Sequence, residues 1–353
     1  MRFLLDDEQR EFARTLDDML TAADTPAAVR DWATGDHARG RELWARLADA
    51  GVLALAVPER HDGLGPLPLE LTVALTELGR HAVPGPYVET VTVAAFLDRL
   101  GDEATATTWL PDIAAGQRTV SLALLTPASP YALDPDAADA VFAVDGDTLR
   151  LAESADEIQP SADPARRLAR PRGGTVLAQG PPVRAAAAHA LNVAALATAA
   201  QSLGLGRALL TRTVEYARQR SQFGVPIGSF QAVKHRLADT LIGLEFAQPL
   251  VHSAALALAA DDPAGGREIA AAKVAAGEAA YVASRTALQL HGALGYTEEL
   301  DLSLWIRKAR PLRDAWGTPA ACRAGVLADG LAGDGTDDRA GGRVAAGRPE
   351  RSA

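Results

Sequence analysis

The chain has 353 residues, enough for two or three domains of roughly 100–200 residues each; 48% are hydrophobic but only 5% aromatic, with alanine abundant, which favours close-packed helices over a β-sandwich. A formal net charge of −10 argues against a nucleic-acid partner. The single cysteine, Cys322, excludes an intramolecular disulfide and suits a reducing cytoplasm.

Asp6, Asp7 and Glu8 stand where a secretory signal needs a basic and then an apolar run. No uncharged apolar stretch is long enough to span a bilayer, the nearest being residues 190–205, so no membrane insertion is expected. There is no internal repeat.

Residues 1–118 read as an N-terminal helical domain. Asp6 followed by Gln9 has the form of a capping box, and Phe12, Leu16, Met19 and Leu20 then share one helical face. Residues 21–40 are polar and interrupted by Pro26, Gly35 and Gly40, which predicts a loop with at most a short helix. A helix over 42–50 turns Leu43, Trp44 and Leu47 inward and stops at Gly51. Residues 52–57 are apolar and lead into a turn-rich segment from Pro58 to Gly65. Further helices are predicted over 68–80, 87–100 and 103–114. His61 and His81 fall at helix or loop edges, where a lone histidine is more often a satisfied residue than a ligand. No His/Cys/Asp cluster has metal-ligand spacing, so no metal is expected.

Residues 119–183 change character. Strands are predicted over 119–125, 140–144, 148–151 and 174–178, with Asp145-Gly146-Asp147 as a hairpin signal, making a small middle β domain.

Residues 184–332 return to helices. The stretches 185–198 and 202–220 are apolar almost all round, as expected of two helices buried in a bundle. Gly204 and Gly206 would let neighbouring helices approach closely. Helices over 230–258, 267–291, 299–306 and 319–331 follow, with a loop at 261–266 and Gly292 as a C-cap. The fold class is α+β, mostly α, ending in a four-helix bundle. Residues 333–353 are Gly, Arg and Asp with almost nothing to bury, and are expected to be disordered.

Two strings inside this last region carry chemistry. The first is Arg220-Ser221-Gln222-Phe223-Gly224, followed by Pro226-Ile227-Gly228-Ser229-Phe230-Gln231, with Ser229 as the expected N-cap of the next helix. Arg220 can grip a phosphate bidentately, Gln222 and Gln231 carry amides, and Phe223 and Phe230 offer flat apolar faces. Taken alone, the same residues also describe an ordinary helical hairpin with a solvated charge run. The second string is Leu288-Gln289-Leu290-His291-Gly292-Ala293-Leu294-Gly295-Tyr296-Thr297.

In this order and spacing the two strings resemble the signatures of the acyl-CoA dehydrogenase family. The resemblance covers nearly the whole chain and is strongest over residues 203–313. It implies a flavoprotein fold, FAD as cofactor and an acyl-CoA thioester as substrate. It also implies a homo- or hetero-oligomer, dimer or tetramer, with a related chain. Residues like Arg220, Gln222, Phe223, Phe230 and Gln231 would reach across an interface to the phosphates and adenosine end of a neighbour's FAD, and residues like Gln289, Gly292 and Ala293 would do the same from the next helix end. Ala293 stands where the family usually has a second glycine.

Dehydrogenating an acyl thioester needs a carboxylate to take the α proton, a flavin to take the β hydride, and donors to polarise the thioester carbonyl. The family's commonest base lies in a Tyr-Glu-Gly-Thr segment. The matching segment here is Ala315-Trp316-Gly317-Thr318, so Trp316 occupies the glutamate position, while Gly317 and Thr318 match the residues expected to touch flavin. A minority of the family places the glutamate at a position matching Ala194. Asp314 is the remaining acid close by and is a weak candidate base. The β domain also lacks the family's Gly-Ser-Asp loop and tryptophan strand, its first strand ending at Leu124-Leu125-Thr126-Pro127-Ala128-Ser129-Pro130.

Three readings follow. The chain is the glutamate-lacking subunit of a heteromeric dehydrogenase, donating flavin contacts to a catalytic partner; or a self-sufficient dehydrogenase with a displaced base; or a non-catalytic acyl-CoA- or acyl-carrier-binding scaffold. For flavin chemistry with oxygen, His291 is the available side chain, and a hydrogen bond at its helix end is the competing role.

Overall fold

The computed structural model describes residues 4–126 and 129–334. Helix α1 (Asp7–Thr21) opens on the expected capping box: Asp6 Oδ1 accepts from the Gln9 amide at 2.9 Å, and Gln9 Oε1 accepts from the Asp6 amide at 3.1 Å. The stretch expected to be loop with at most a short helix holds the ten-residue α2 (Thr25–Thr34) and the start of α3 (Ala38–Asp49). The residues that read as breakers are boundaries. Asp24 caps α2 through the Ala27 amide, Pro26 lies in its first turn, and Gly35 ends it at φ 90°. Burial of Val29 and Trp32 then holds α2 in place. Helices α4 (Pro68–Arg80), α5 (Tyr87–Leu100) and α6 (Glu103–Ala114) form where expected.

The middle region holds β1 (Val120–Leu124), β2 (Ala132–Leu133), β3 (Ala140–Asp145), β4 (Thr148–Leu151), β5 (Ser154–Ala155), β6 (Leu168–Ala169), β7 (Pro171–Arg172) and β8 (Thr175–Gln179). Four of them make one sheet in the order β1-β3-β4-β8, parallel between β1 and β3 and antiparallel beyond. The β3–β4 hairpin turns at the predicted Asp145-Gly146-Asp147, with Asp145 opposite Thr148. The sheet docks on the N-terminal helices: Thr90 Oγ1 of α5 donates to the Val120 carbonyl at 2.7 Å, and Trp109 of α6 meets Phe142 edge-on at 5.0 Å.

Helix α7 (Pro181–Gln219) is one helix of 39 residues where the sequence predicts two. Its glycines do not break it, because they are where other helices pack close: α4 crosses at Gly204 with the two backbones in contact, and Gly206 faces Leu244 and Ala280. A Cβ on Gly204 would lie 1.8 Å from the Thr76 carbonyl oxygen, and one on Gly79 would lie 2.1 Å from that of Gln201. Burial of the apolar faces on both sides outweighs the cost of about 1 kcal/mol per helical glycine. Helices α8 (Gln231–Ala259), α9 (Gly265–His291) and α10 (Leu302–Asp314) pack beside α7, and α11 (Pro319–Asp334) follows. Helix α10 starts later and runs longer than the predicted 299–306 because Trp305 anchors it. Trp305 is fully buried, donates from Nε1 to the Arg80 carbonyl at 2.8 Å, and carries the Arg212 guanidinium 3.8 Å above its ring. The first residues of the expected disordered tail belong to α11; the rest, 335–353, lie outside the described residues.

Two of the described helices, α7 and α8, are long and apolar enough to cross a membrane, which corrects the expectation that no stretch is. In α7, 89% of the apolar window is buried within the protein, as in a core helix; in α8 the share is only 33%.

The chain therefore takes the expected architecture: N-terminal helices, a small middle sheet and a C-terminal helical bundle.

Candidate functional site

At the end of α7 the chain makes a tight hairpin. Arg220 closes the helix with extended backbone angles, and β9 (Ser221–Gln222) pairs with β10 (Val225–Pro226). Phe223 and Gly224 form the two-residue turn, at φ 54° and 81°. Positive φ at both positions is the signature of a type I′ turn, which matches strand twist but is strained for phenylalanine. The Phe223 ring is 92% exposed and meets Phe230 edge-on at 6.2 Å. The helix α8 begins one residue later than expected. Phe230 is its N-cap, while Ser229 Oγ donates to the Pro226 carbonyl at 2.7 Å and so does not cap.

Arg220, Gln222 and Gln231 are exposed, and the Arg220 guanidinium has no hydrogen bond or ion pair among the described residues. A cation, two amides and two aromatic faces are thus presented outward from one short segment.

The second string is brought to the same end of the bundle. Helix α9 stops at His291, and Gly292 takes φ 61° and ψ −136°, a conformation open to glycine. Gln289, Gly292 and Ala293 are exposed. His291 is buried. Its Nδ1 donates to the Ala287 carbonyl at 2.8 Å, and its ring stacks at 4.0 Å on Tyr216, whose carbonyl accepts from the Arg220 amide. That stack joins the two strings through side chains that face inward. Burial lowers the His291 pKa, and the bond to Ala287 and the stack on Tyr216 give the ring a structural role.

Outward-facing apolar side chains continue along α8. Leu241, Ile242, Phe246 and Leu250 are 46%, 52%, 73% and 42% exposed, and Val282 of α9 joins them at 47%. An apolar stripe of this kind is the sort of surface that protein partners use.

The position matched to the family's base faces a different place. Trp316 lies in the loop after α10 at φ 55°, and its Nε1 donates to Glu89 Oε1 of α5 at 2.9 Å. The two residues line a cavity of about 30 Å³ between the N-terminal helices, the middle region and the bundle. That is room for one or two waters. Asp134, Asp163, Arg166, Thr198, Gln201 and Lys308 complete its polar lining. Glu89 is 3% exposed, and burial raises its pKa. Burial and the neighbouring Glu89 push Asp134 to about 8, and its Oδ2 has no hydrogen-bond partner. Lys308 pairs with Asp163 at 3.1 Å.

The other base candidates do not reach this cavity. Asp314 accepts from Arg313 Nε at 3.2 Å. Ala194 is a fully buried methyl, and Thr198, one turn on, bonds back to its carbonyl at 2.9 Å. Gly317 sits against Cys322, whose Sγ would be 2.8 Å from an added Cβ. Thr318 is exposed, and its hydroxyl caps α11 by accepting from the Ala321 amide at 3.2 Å.

Sequence reasoning missed Glu89. The available signal is a single acid in the apolar run Tyr87-Val88-Glu89-Thr90-Val91, since a lone carboxyl on a buried helix face needs a partner.

The outward hairpin and the α9 end present an unpaired guanidinium, amides and flat rings, chemistry that suits the phosphate and adenine portions of FAD. The cavity beside Trp316 is too small for the flavin ring. After β1 the Thr126 and Ser129 backbones bond to each other at 3.3 and 3.1 Å, and Thr126 Oγ1 accepts from the Ser129 amide at 3.0 Å, so those two amides are engaged locally. Pro127 and Ala128 of that segment lie outside the described residues.

Two family descriptions match the chain: the acyl-CoA dehydrogenase N-terminal domain over residues 6–117 and the acyl-CoA dehydrogenase C-terminal domain over residues 184–329. The chain is 34% identical over 306 residues to the acyl-CoA dehydrogenase IpdE2 of Mycobacterium tuberculosis, covering 86% of this chain and 91% of that protein. Its fold is similar to a chain of the ChsE4–ChsE5 complex from Mycobacterium tuberculosis, with a TM-score of 0.81 and 26% identity over 94% of this chain and 99% of that one. It also shares its fold with an acyl-CoA dehydrogenase from Bacillus anthracis solved with FAD, with a TM-score of 0.83 and 17% identity over 95% of this chain and 68% of that one.

Proposed function

The chain belongs to the acyl-CoA dehydrogenase family, and on that premise we propose that it is the glutamate-lacking subunit of a heteromeric enzyme performing FAD-linked α,β-dehydrogenation of an acyl-CoA thioester. The observation that carries this reading is Trp316. An indole stands at the base position, tied to Glu89, beside a cavity that admits only one or two waters.

In this reading Arg220 binds the flavin pyrophosphate across the interface, and Phe223 and Phe230 flank the adenosine end. Gln222, Gln231 and Gln289 offer amide hydrogen bonds, and the exposed backbone at Gly292 and Ala293 approaches the same moiety. FAD supplies the hydride acceptor. The partner chain supplies the carboxylate base and the thioester pocket. The apolar stripe on α8 gives the interface its burial. A similar chain in the ChsE4–ChsE5 complex supports a two-chain assembly.

A second reading has one observation in its favour. Glu89 is a buried carboxyl in contact with the base position, so a self-sufficient enzyme would use it as the displaced base. Against it, Glu89 Oε1 is taken up by the Trp316 indole, and the cavity beside it holds only one or two waters, which leaves no place for a thioester.

The deciding experiment is the visible absorbance of the chain purified alone and after co-expression with a related chain that carries an intact glutamate segment. A colourless chain that becomes yellow and active only with its partner is the expected result. Flavin bound by the chain alone, and bleached anaerobically by an acyl-CoA, would establish the second reading. A complex that stays colourless would leave the scaffold role.

A further inference from the structure

We propose that Asp17, Glu77 and His81 form a binding site for a divalent transition-metal ion, with Zn²⁺ the best fit, that ties α1 to the end of α4. Glu77 and His81 are four residues apart at the end of α4, so they share one face of the turn. Helix α1 brings Asp17 against that face. One ligand atom from each residue lies within 4.8 Å of the other two. His81 Nε2 and Asp17 Oδ1 are already 2.7 Å apart.

This is not a surface patch of acids. Glu77 and His81 are 8% and 9% exposed. Glu77 Oε2 is buried and has no hydrogen-bond partner, so the cluster contains an unmet acceptor that a cation would satisfy. Arg80 is the competing cation. Its guanidinium lies 3.7 Å from Glu77 Oε2 and 3.8 Å from Asp17 Oδ1, too far for a hydrogen bond, and is 44% exposed. It can turn into solvent when a metal enters.

One imidazole nitrogen with two carboxylate oxygens is a mixed set suited to Zn²⁺ and its first-row neighbours, with water as fourth ligand; Mg²⁺ and Ca²⁺ prefer oxygen alone. The site is separate from the cavity of Glu89 and Trp316. The segment just after His81 reaches that cavity through Val83 and Gly85. Sequence spacing gave no metal signature because Asp17 is on a different helix from the other two ligands.

The test is calorimetric titration of ZnCl₂ into the untagged full-length chain after EDTA treatment and buffer exchange. The same titration is made on Glu77→Gln, His81→Ala and, as a control, His235→Ala, an exposed histidine outside the cluster. The expected result is one saturable site in the micromolar range, unchanged in His235→Ala and weakened about 100-fold or more in Glu77→Gln. Glutamine keeps the size of the side chain, so this comparison holds even where His81→Ala fails to fold. Anomalous scattering at the zinc edge from soaked crystals would then place the ion between the three side chains. No saturable binding below millimolar Zn²⁺, or equal binding by the parent chain and Glu77→Gln, would overturn the proposal and leave a polar cluster only.

Discussion

The Trp316 indole donates a 2.9 Å hydrogen bond to Glu89, joining the loop after α10 to a helix of the N-terminal region 227 residues away. Trp316 holds a left-handed backbone, strained by about 1–2 kcal/mol for a bulky residue. The bond to a buried carboxyl secures it there. Glu89→Ala removes the acceptor and leaves a void, and is expected to cost about 3 kcal/mol in urea unfolding. Glu89→Gln keeps an acceptor oxygen and should cost less than about 1 kcal/mol. Equal losses in the two variants would show that the bond is not what holds the loop.

Trp316→Glu places a carboxylate at the position that the sequence resemblance matches to the family's base, beside Glu89 and Asp134. It is expected to leave the rate of acyl-CoA oxidation at background when measured with an artificial electron acceptor. Like charges crowded in a small buried space do not ionise together, and the thioester still has no room. A rate above background would mean that only the base is missing.

Arg220→Ala should leave the chain's own melting temperature unchanged, since the guanidinium has no partner among the described residues. In the assembled enzyme it should weaken flavin retention by about 10- to 100-fold, the weight of a charge-assisted phosphate contact. Gel filtration followed by the absorbance ratio of flavin to protein reads this directly. Full flavin content in the variant assembly would remove Arg220 from the cofactor site.

Asp134 sets a pH dependence whose sign is fixed by its burial. Its folded pKa is about 8 against 3.8 for the free side chain, so the native state keeps a proton that the unfolded chain releases. Stability from this group is complete below about pH 4 and is lost as pH rises toward 8. Asp134→Asn removes the titration, and asparagine tolerates the φ of 49° at this position. The variant should be more stable than the parent by about 2–5 kcal/mol at pH 8, with the difference vanishing near pH 4. Parallel stability curves across that range would contradict the assignment.

Much of the architecture was legible in local sequence. Helices α4, α5 and α6 and strand β4 sit where apolar period, proline and glycine put them. Both site strings could be read because each is continuous in the chain. What escaped depends on distant partners. The continuity of α7 rests on α4 crossing at Gly79 and Gly204, which no window of sequence contains. The full length of α2 is not legible because Asp24, Pro26 and Gly35 signal boundaries as readily as breaks. Glu89 acquires meaning only when Trp316 arrives beside it.

The exposed stripe on α8 bears on how the protein has to be made. A chain that finishes folding without a partner holds Leu241, Ile242, Phe246 and Leu250 in water, where any other unpaired copy can adhere to them. Where the proposed partner covers this stripe, co-translation of the two chains should raise the soluble yield above that of this chain expressed alone.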